Sequence, residues 1–302
     1  MEKAITKADR DFFVVMLKEE AREALWKVGS DTDPQTLIDG IKEELETLAP
    51  RTDGTESRSA EEIWTQVRRR LIKGAYATRP YCIRCGTCCR QGSPTLTRKD
   101  LVLFRANALK PEHLVTIRQG EPVYDSRTEK IEHAEREMLK IREHAESRTC
   151  ILYDRSNVAQ ARACSIYESR PDQCRRQECW NPDSSPASDA APLSRQDLLK
   201  GLGELWDVIE RHEERCSYEG LNRSMVRLAA TKGQTVDEIV DVLRFDQHVR
   251  DFLHERLSLP LEAMEFFFGR PMRDAIDAYG LKVEDQPDGT FLVTLVEDKH
   301  EK

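Results

Sequence analysis

Apolar residues recur at three- and four-residue intervals along most of the chain, which predicts a mainly helical protein. From Lys7 to Val28 the stripe is Phe12, Val15, Met16, Leu17, Leu25 and Trp26. A second helix opens with Asp33 as N-cap and Pro34 at its first position, and carries Leu37, Ile38, Ile41, Leu45 and Leu48. A polar stretch from Pro50 to Arg58 reads as loop. A third helix starts at a capping box, Ser59 to Glu62, and continues through Ile63, Val67 and Leu71. Its consecutive Arg68, Arg69 and Arg70 read as a solvated face.

The pattern changes in the middle. Arg127 to Arg148 is crowded with Glu, Lys, Arg and His around Ile131, Met138 and Ile141, and scores as an exposed helix, with His133 and His144 facing solvent. Two short apolar runs then flank a polar turn between Cys150 and Cys164, which predicts a small hairpin bringing those two thiols together. Pro171 can begin a helical turn that presents Cys174. Asn181 to Leu193 reads as a linker.

Beyond the linker the helical period returns. Ser194 caps a helix carrying Leu198, Leu199, Leu202, Leu205, Trp206 and Ile209. Further helices are expected over Tyr218–Lys232, Thr235–Leu243 (capping box Thr235 to Glu238), Asp246–Leu257, Pro260–Phe268 and Pro271–Tyr279. The run Phe266-Phe267-Phe268-Gly269 reads as a core helix end. Leu281 to Val283, a Pro287-Asp288-Gly289 turn, and Phe291 to Val296 predict a terminal β-hairpin. The expected fold class is therefore mainly α, with a small, irregular cysteine-rich metal-binding domain and short β-hairpins. The domains expected are a helical region over 1–78, the cysteine domain over 79–182, and a helical region with its terminal hairpin over 194–302.

Charge narrows the function classes. The net charge of −8, from 47 basic and 55 acidic residues, argues against general nucleic-acid binding and against a membrane-surface role. No apolar run approaches the roughly 20 residues of a membrane helix. The charged segment from Met1 to Arg10 lacks the apolar core of a signal peptide. The expectation is a cytoplasmic protein with reduced thiols, whose helical flanks dock a protein partner. No small-molecule substrate can be named.

The chemistry lies in the cysteines. Cys82, Cys85, Cys88 and Cys89 fall in the string Cys-Ile-Arg-Cys-Gly-Thr-Cys-Cys, and Cys150, Cys164, Cys174 and Cys179 follow. Soft thiolates grouped this tightly select zinc, iron–sulfur clusters or copper(I) over disulfides in a reducing compartment. A Cys-x2-Cys pair clasps one metal, and Gly86 suits the sharp turn after Cys85. The spacing is neither that of a bacterial ferredoxin run nor that of a radical-SAM motif. Side chains of adjacent residues usually diverge, so Cys88 and Cys89 are expected to serve different sites, or one is spare. All eight thiols are candidate ligands, either in two four-ligand sites or in one bridged centre shared across the insert.

An iron–sulfur centre is preferred over zinc, because two structural zinc sites would be many for a module of this size. Arg84, Arg90, Arg170, Arg175 and Arg176 either screen the thiolate charge or are ordinary surface arginines. Trp180 is either a lid over the metal or a core aromatic. His212 and Cys216, one helical turn apart, read as an inert pair with a buried thiol.

The string Cys82-x2-Cys85-Gly-x-Cys88-Cys89, then Cys150-x-Leu-Tyr, then Cys164-x-Ile-Tyr-x-x-Arg-Pro-x-x-Cys174-Arg resembles the YkgJ-like CxxCxxCC cysteine-cluster family of zinc- or iron-chelating proteins. The resemblance covers about a third of the chain. It implies a metal or iron–sulfur centre held by these cysteines, and it implies no single reaction. Relatives range from flagellin lysine methylase types to proteins labelled oxidoreductases. Three functions follow as expectations: a redox or electron-transfer protein, a zinc-stabilised interaction module, and a methylase-like enzyme.

Overall fold

The computed structural model describes residues 7–42, 60–125, 130–154, 164–180, 190–287 and 291–295. It divides into two compact units. One comprises residues 1–86, 155–164 and 174–187, and the other 87–154, 165–173 and 188–302.

The first unit is built on α1 (Lys7–Val28), α2 (Pro34–Gly40) and α3 (Ala60–Ala77). Asp33 caps α2 by accepting the Gln35 N–H at 2.8 Å, and Pro34 occupies the first turn, as the sequence predicts. Leu17, Ala21, Ala24, Leu25 and Val28 of α1 are buried with Leu37, Ile41, Val67, Leu71 and Ala75. The buried face of α1 is rotated from the expected one, because small Ala21 and Ala24 let helices approach while Trp26 stands 80% exposed. Gly74 is placed where a Cβ would come within 2.6 Å of Leu37 Cδ1, so α3 can run close against α2. Arg68, Arg69 and Arg70 are exposed, and Arg68 pairs with Glu20 at 3.0 Å. The expected positions Leu45, Leu48 and Ser59 lie outside the described residues.

The second unit holds two central strand pairs. β1 (Leu114–Ile117) pairs antiparallel with β4 (Met138–Ile141), with Leu114 opposite Ile141. β2 (Pro122–Asp125) pairs with β3 (Lys130–His133), with Pro122 opposite His133. The helix expected over residues 127–148 is therefore replaced, among its described residues, by two strands. Local propensity favours helix there, but β1 is buried along its whole length and offers a ladder that Leu139 and Ile141 complete from the inner face. His133 and His144 are exposed, as expected. The end of the expected linker is docked as well. Leu193 is fully buried, receives the Leu139 N–H at 2.8 Å and donates to Leu96 at 2.9 Å.

Ser194 caps α7 (Arg195–Leu199) in a capping box with Asp197. The single helix expected after Ser194 is broken, since Gly203 takes φ +52° before α8 (Glu204–Arg215) begins. α9 (Tyr218–Ala230) follows. α10 runs unbroken from Val236 to Leu257, where two helices and a Thr235–Glu238 capping box were expected. Thr235 makes no cap hydrogen bond, and Glu238 instead accepts from Ser224 and pairs with Arg227. Asp246 interrupts nothing because its carboxylate is engaged elsewhere: it accepts from His212 Nε2 at 2.7 Å, Arg250 Nε at 2.9 Å and the Met272 N–H at 2.9 Å. α11 (Met264–Phe268) buries all three phenylalanines, and Thr116 of β1 donates to the Phe266 carbonyl. α12 (Met272–Ala275) leads to the terminal hairpin of β5 (Leu281–Asp285) and β6 (Phe291–Leu295), which pair as the sequence predicts.

Ionic groups fasten this unit internally. Arg118 is fully buried and meets both oxygens of Glu213 at 2.9–3.0 Å, while Arg195 joins Glu213 at 2.8 Å and Glu137 at 2.6 Å. Burial works against the Glu213 charge, but the two arginines override it and hold the carboxyl below its ordinary pKa. Burial likewise opposes ionisation of Asp246, yet the His212 hydrogen bond and Arg250 bring it down to about 2. Desolvation lowers the His212 pKa and keeps the imidazole neutral, donating to Asp246.

Both shifts act in the same direction. An unfolded histidine gains its proton near pH 6.5 and an unfolded aspartate near 3.9, before their folded counterparts do, so stability falls as pH drops. Urea unfolding should show the loss beginning below about pH 6.5 and steepening below about pH 4. Asp246→Ala strands Arg250 and should cost about 3–5 kcal/mol at pH 7, with a flatter acid limb. An unchanged acid limb in that variant would contradict this account.

Candidate metal centre

The first cysteine group begins soon after α3 ends. Ile83, inside the Cys82-x2-Cys85 pair, packs partly buried against the α1–α3 core and so anchors the pair to the helical unit. Arg84 at φ +59° and Gly86 at φ +74° both adopt the left-handed region, reversing the chain twice within three residues. Gly86 takes this conformation without penalty, whereas Arg84 is held there against a Cβ clash. Cys82 is half-buried and Cys85 exposed.

Cys88 and Cys89 lie on α4 (Thr87–Gln91), and their sulfurs are 4.0 Å apart. The expected divergence of these adjacent side chains does not occur. On a short helical turn the Cα–Cβ bonds are separated by about 100°, not the 180° of a strand, and the sulfurs can close together. The hydrogen bond with Cys89 is the main cause that lowers the Cys88 thiol to about 6, against the opposing effect of burial. Arg90 adds its positive charge and is itself held by Tyr153, with Nη1 donating to the phenol oxygen at 2.9 Å and the guanidinium 5.7 Å from the ring centre.

The second group approaches the first through backbone. Cys150 is buried and donates its N–H to the Cys89 carbonyl at 2.8 Å. It sits just past β4, bridged to Glu143, whose carboxylate is fixed by the Ser93 N–H at 2.8 Å and by Lys140. The tip of the hairpin expected between Cys150 and Cys164 lies outside the described residues. On its far side Ser165 donates to the Leu152 carbonyl at 2.9 Å, so the chain does return towards its start. Cys174 rides on α6 (Asp172–Arg176) directly after Pro171, as the sequence predicts. Buried Asp100, just before α5 (Leu101–Arg105), fixes the start of α6 by accepting the Asp172 N–H at 2.8 Å. Gln173 accepts the Thr95 N–H at 2.6 Å. Arg170 lies 4.3 Å over the Tyr167 ring. Cys164 and Cys174 are half-buried, Cys179 is exposed and Trp180 is half-buried.

None of the nine cysteines is in a disulfide. Cys88, Cys89 and Cys150 belong to the second unit, and Cys82, Cys85, Cys164, Cys174 and Cys179 to the first. Among the described residues no three His, Cys, Asp or Glu side chains are gathered into a group that could hold a metal ion. The donors themselves fit zinc or iron. Thiolates at about 2.3 Å from a tetrahedral ion stand about 3.8 Å from each other, close to the Cys88–Cys89 spacing. Cys216 is set apart from this chemistry. It is fully buried, desolvation raises its thiol to about 12, and its neighbour His212 is committed to Asp246.

Sequence reasoning missed the supports. Asp100 stands three residues after Thr97, a capping-box spacing readable in the sequence, and Tyr153 lies inside the Cys150-x-Leu-Tyr motif. Glu143 carries no local signal, because its role depends on Ser93, fifty residues away.

These residues define a cysteine-cluster metal-binding protein. Residues 81–192 match the CxxCxxCC family model, described as "Putative zinc- or iron-chelating domain", and all eight clustered cysteines lie inside the matched segment. No curated protein and no solved structure matches the chain. Among the described residues no helix is long and apolar enough to cross a membrane.

Alkylation of the metal-free protein at pH 7 should reach Cys88 early and leave Cys216 untouched until the protein unfolds. Cys89→Ala removes the main cause of the low Cys88 pKa and should slow its alkylation several-fold, as read by peptide mass spectrometry. Early labelling of Cys216 in folded protein would contradict the assignment.

Proposed function

We propose that the domain holds an iron–sulfur centre on thiolates from both cysteine groups and serves in electron transfer. The observation that carries this reading is the 2.8 Å hydrogen bond from Cys150 N–H to the Cys89 carbonyl, which ties the first cysteine of the second group to the adjacent pair of the first within one unit. Four thiolates on such a centre leave net negative charge, and arginines beside them offset it. Arg90, held by Tyr153 and next to the adjacent pair, is placed for that role. Iron bound here would supply a one-electron couple. The chain's part is to present the sulfurs, to fix their backbone and to supply compensating charge.

A second reading has an observation of its own. The 4.0 Å spacing of Cys88 and Cys89 suits tetrahedral zinc equally well. In that case the centre staples the domain and the helices around it dock a protein partner. In either case the protein works as a cytoplasmic one.

Anaerobic purification with metal and acid-labile sulfide analysis decides between them. A coloured protein with stoichiometric iron and sulfide is expected, and a colourless zinc-loaded one would establish the second reading. Serine at Cys82, Cys85, Cys88, Cys164, Cys174 or Cys179 should each lower metal content, because losing one ligand opens the coordination shell. Cys216→Ser should leave it unchanged. Folded protein with neither metal and with every thiol titratable would overturn both readings.

A further inference from the structure

We infer that Cys88 and Cys89 chelate the same metal ion, side by side, and that they are therefore not two ligands of a [4Fe–4S] cubane. The inference rests on the thiolate centre proposed above and fixes how two of its ligands are shared. In a cubane each thiolate caps its own iron, so two neighbouring sulfurs converging on one point have no place in it. A mononuclear site and a [2Fe–2S] centre both put two thiolates on one metal, with sulfurs about 3.8 Å apart for a tetrahedral ion with bonds near 2.3 Å. The observed 4.0 Å matches that spacing and is well beyond a sulfur–sulfur bond of about 2.05 Å.

Three supports hold the pair in this posture, and none needs the metal. The helical turn of α4 sets the two Cα–Cβ bonds at an angle that lets the sulfurs meet. The Cys89 carbonyl is fixed by the Cys150 N–H at 2.8 Å. Arg90 reaches back to Thr87 Oγ1 at 3.5 Å and across to the Tyr153 hydroxyl at 2.9 Å, bracing both ends of the turn. A pair braced in this way loses little side-chain freedom when it closes on an ion, which favours it as a bidentate clasp. The ion it takes is thiophilic and tolerates a wide S–metal–S angle, as zinc, iron and cadmium do.

Proton–cadmium correlation NMR on the full chain tests the sharing directly. The protein is loaded anaerobically with spin-active cadmium, and the cysteine β-protons are assigned through the backbone. The β-protons of Cys88 and Cys89 should both correlate with one and the same cadmium resonance. Correlations to two different resonances, or from only one of the two residues, overturn the inference while leaving a thiolate centre in place. Failure to bind any cadmium or other thiophilic metal overturns the centre itself and the sharing with it. Iron-loaded protein supplies an independent measurement: a [4Fe–4S] spectrum that disappears on either Cys88→Ser or Cys89→Ser also overturns the inference.

Discussion

Glu213 sits between two guanidiniums that have almost no access to water, and the organisation of the second unit depends on that arrangement. Arg118 leaves the end of β1, Arg195 begins α7, and Glu213 lies near the end of α8. Each arginine also reaches a backbone carbonyl, Arg118 that of Cys216 and Arg195 that of Phe267. Removing the carboxylate would leave two buried charges without their common partner, a far larger penalty than the net gain of any one ion pair. Segments almost a hundred residues apart are thus tied to one point.

That point governs the metal chemistry at one remove. With β1 fixed, β4 completes the ladder beside it, and the chain leaving β4 runs through Glu143 to Cys150. Cys150 then meets the Cys89 backbone. The adjacent thiols are presented by the short helix α4 and by the framework of buried strand and bridged turn that braces it. Asp100 does the equivalent work for the first residue of α6, using a carboxylate that also caps its own turn.

The thiolates impose their own condition. Clustered sulfurs in one domain cannot all ionise without compensation, so a soft cation and nearby arginines are the natural company for them. Arg90 meets that condition with a fixed orientation, because Tyr153 takes both its hydrogen bond and its face. Cys216 shows the contrast. Buried away from the cluster, with desolvation opposing its ionisation, it remains a thiol and packs as a small hydrophobe.

Several features were legible in the sequence because they depend on neighbours along the chain. The bounds of α1, the Asp33–Pro34 start of α2, the Ser194 cap, the terminal hairpin, the left-handed Gly86 and the identity of the cysteine domain are all local patterns of side-chain size, hydrogen-bonding capacity or spacing. What the sequence could not decide depends on partners far along the chain. Residues 130–133 and 138–141 lie among helix-favouring charges yet pair as strands, because β2 supplies the ladder for the first and buried β1 that for the second. Asp246 carries the signature of a helix boundary yet lies inside α10, because His212, Arg250 and Met272 take its oxygens. The convergence of Cys88 and Cys89 likewise came only from the tertiary structure. Sequence establishes that the two thiols are adjacent, but the direction their sulfurs take is set by the turn, and the turn is braced by Tyr153 and Cys150 more than sixty residues on.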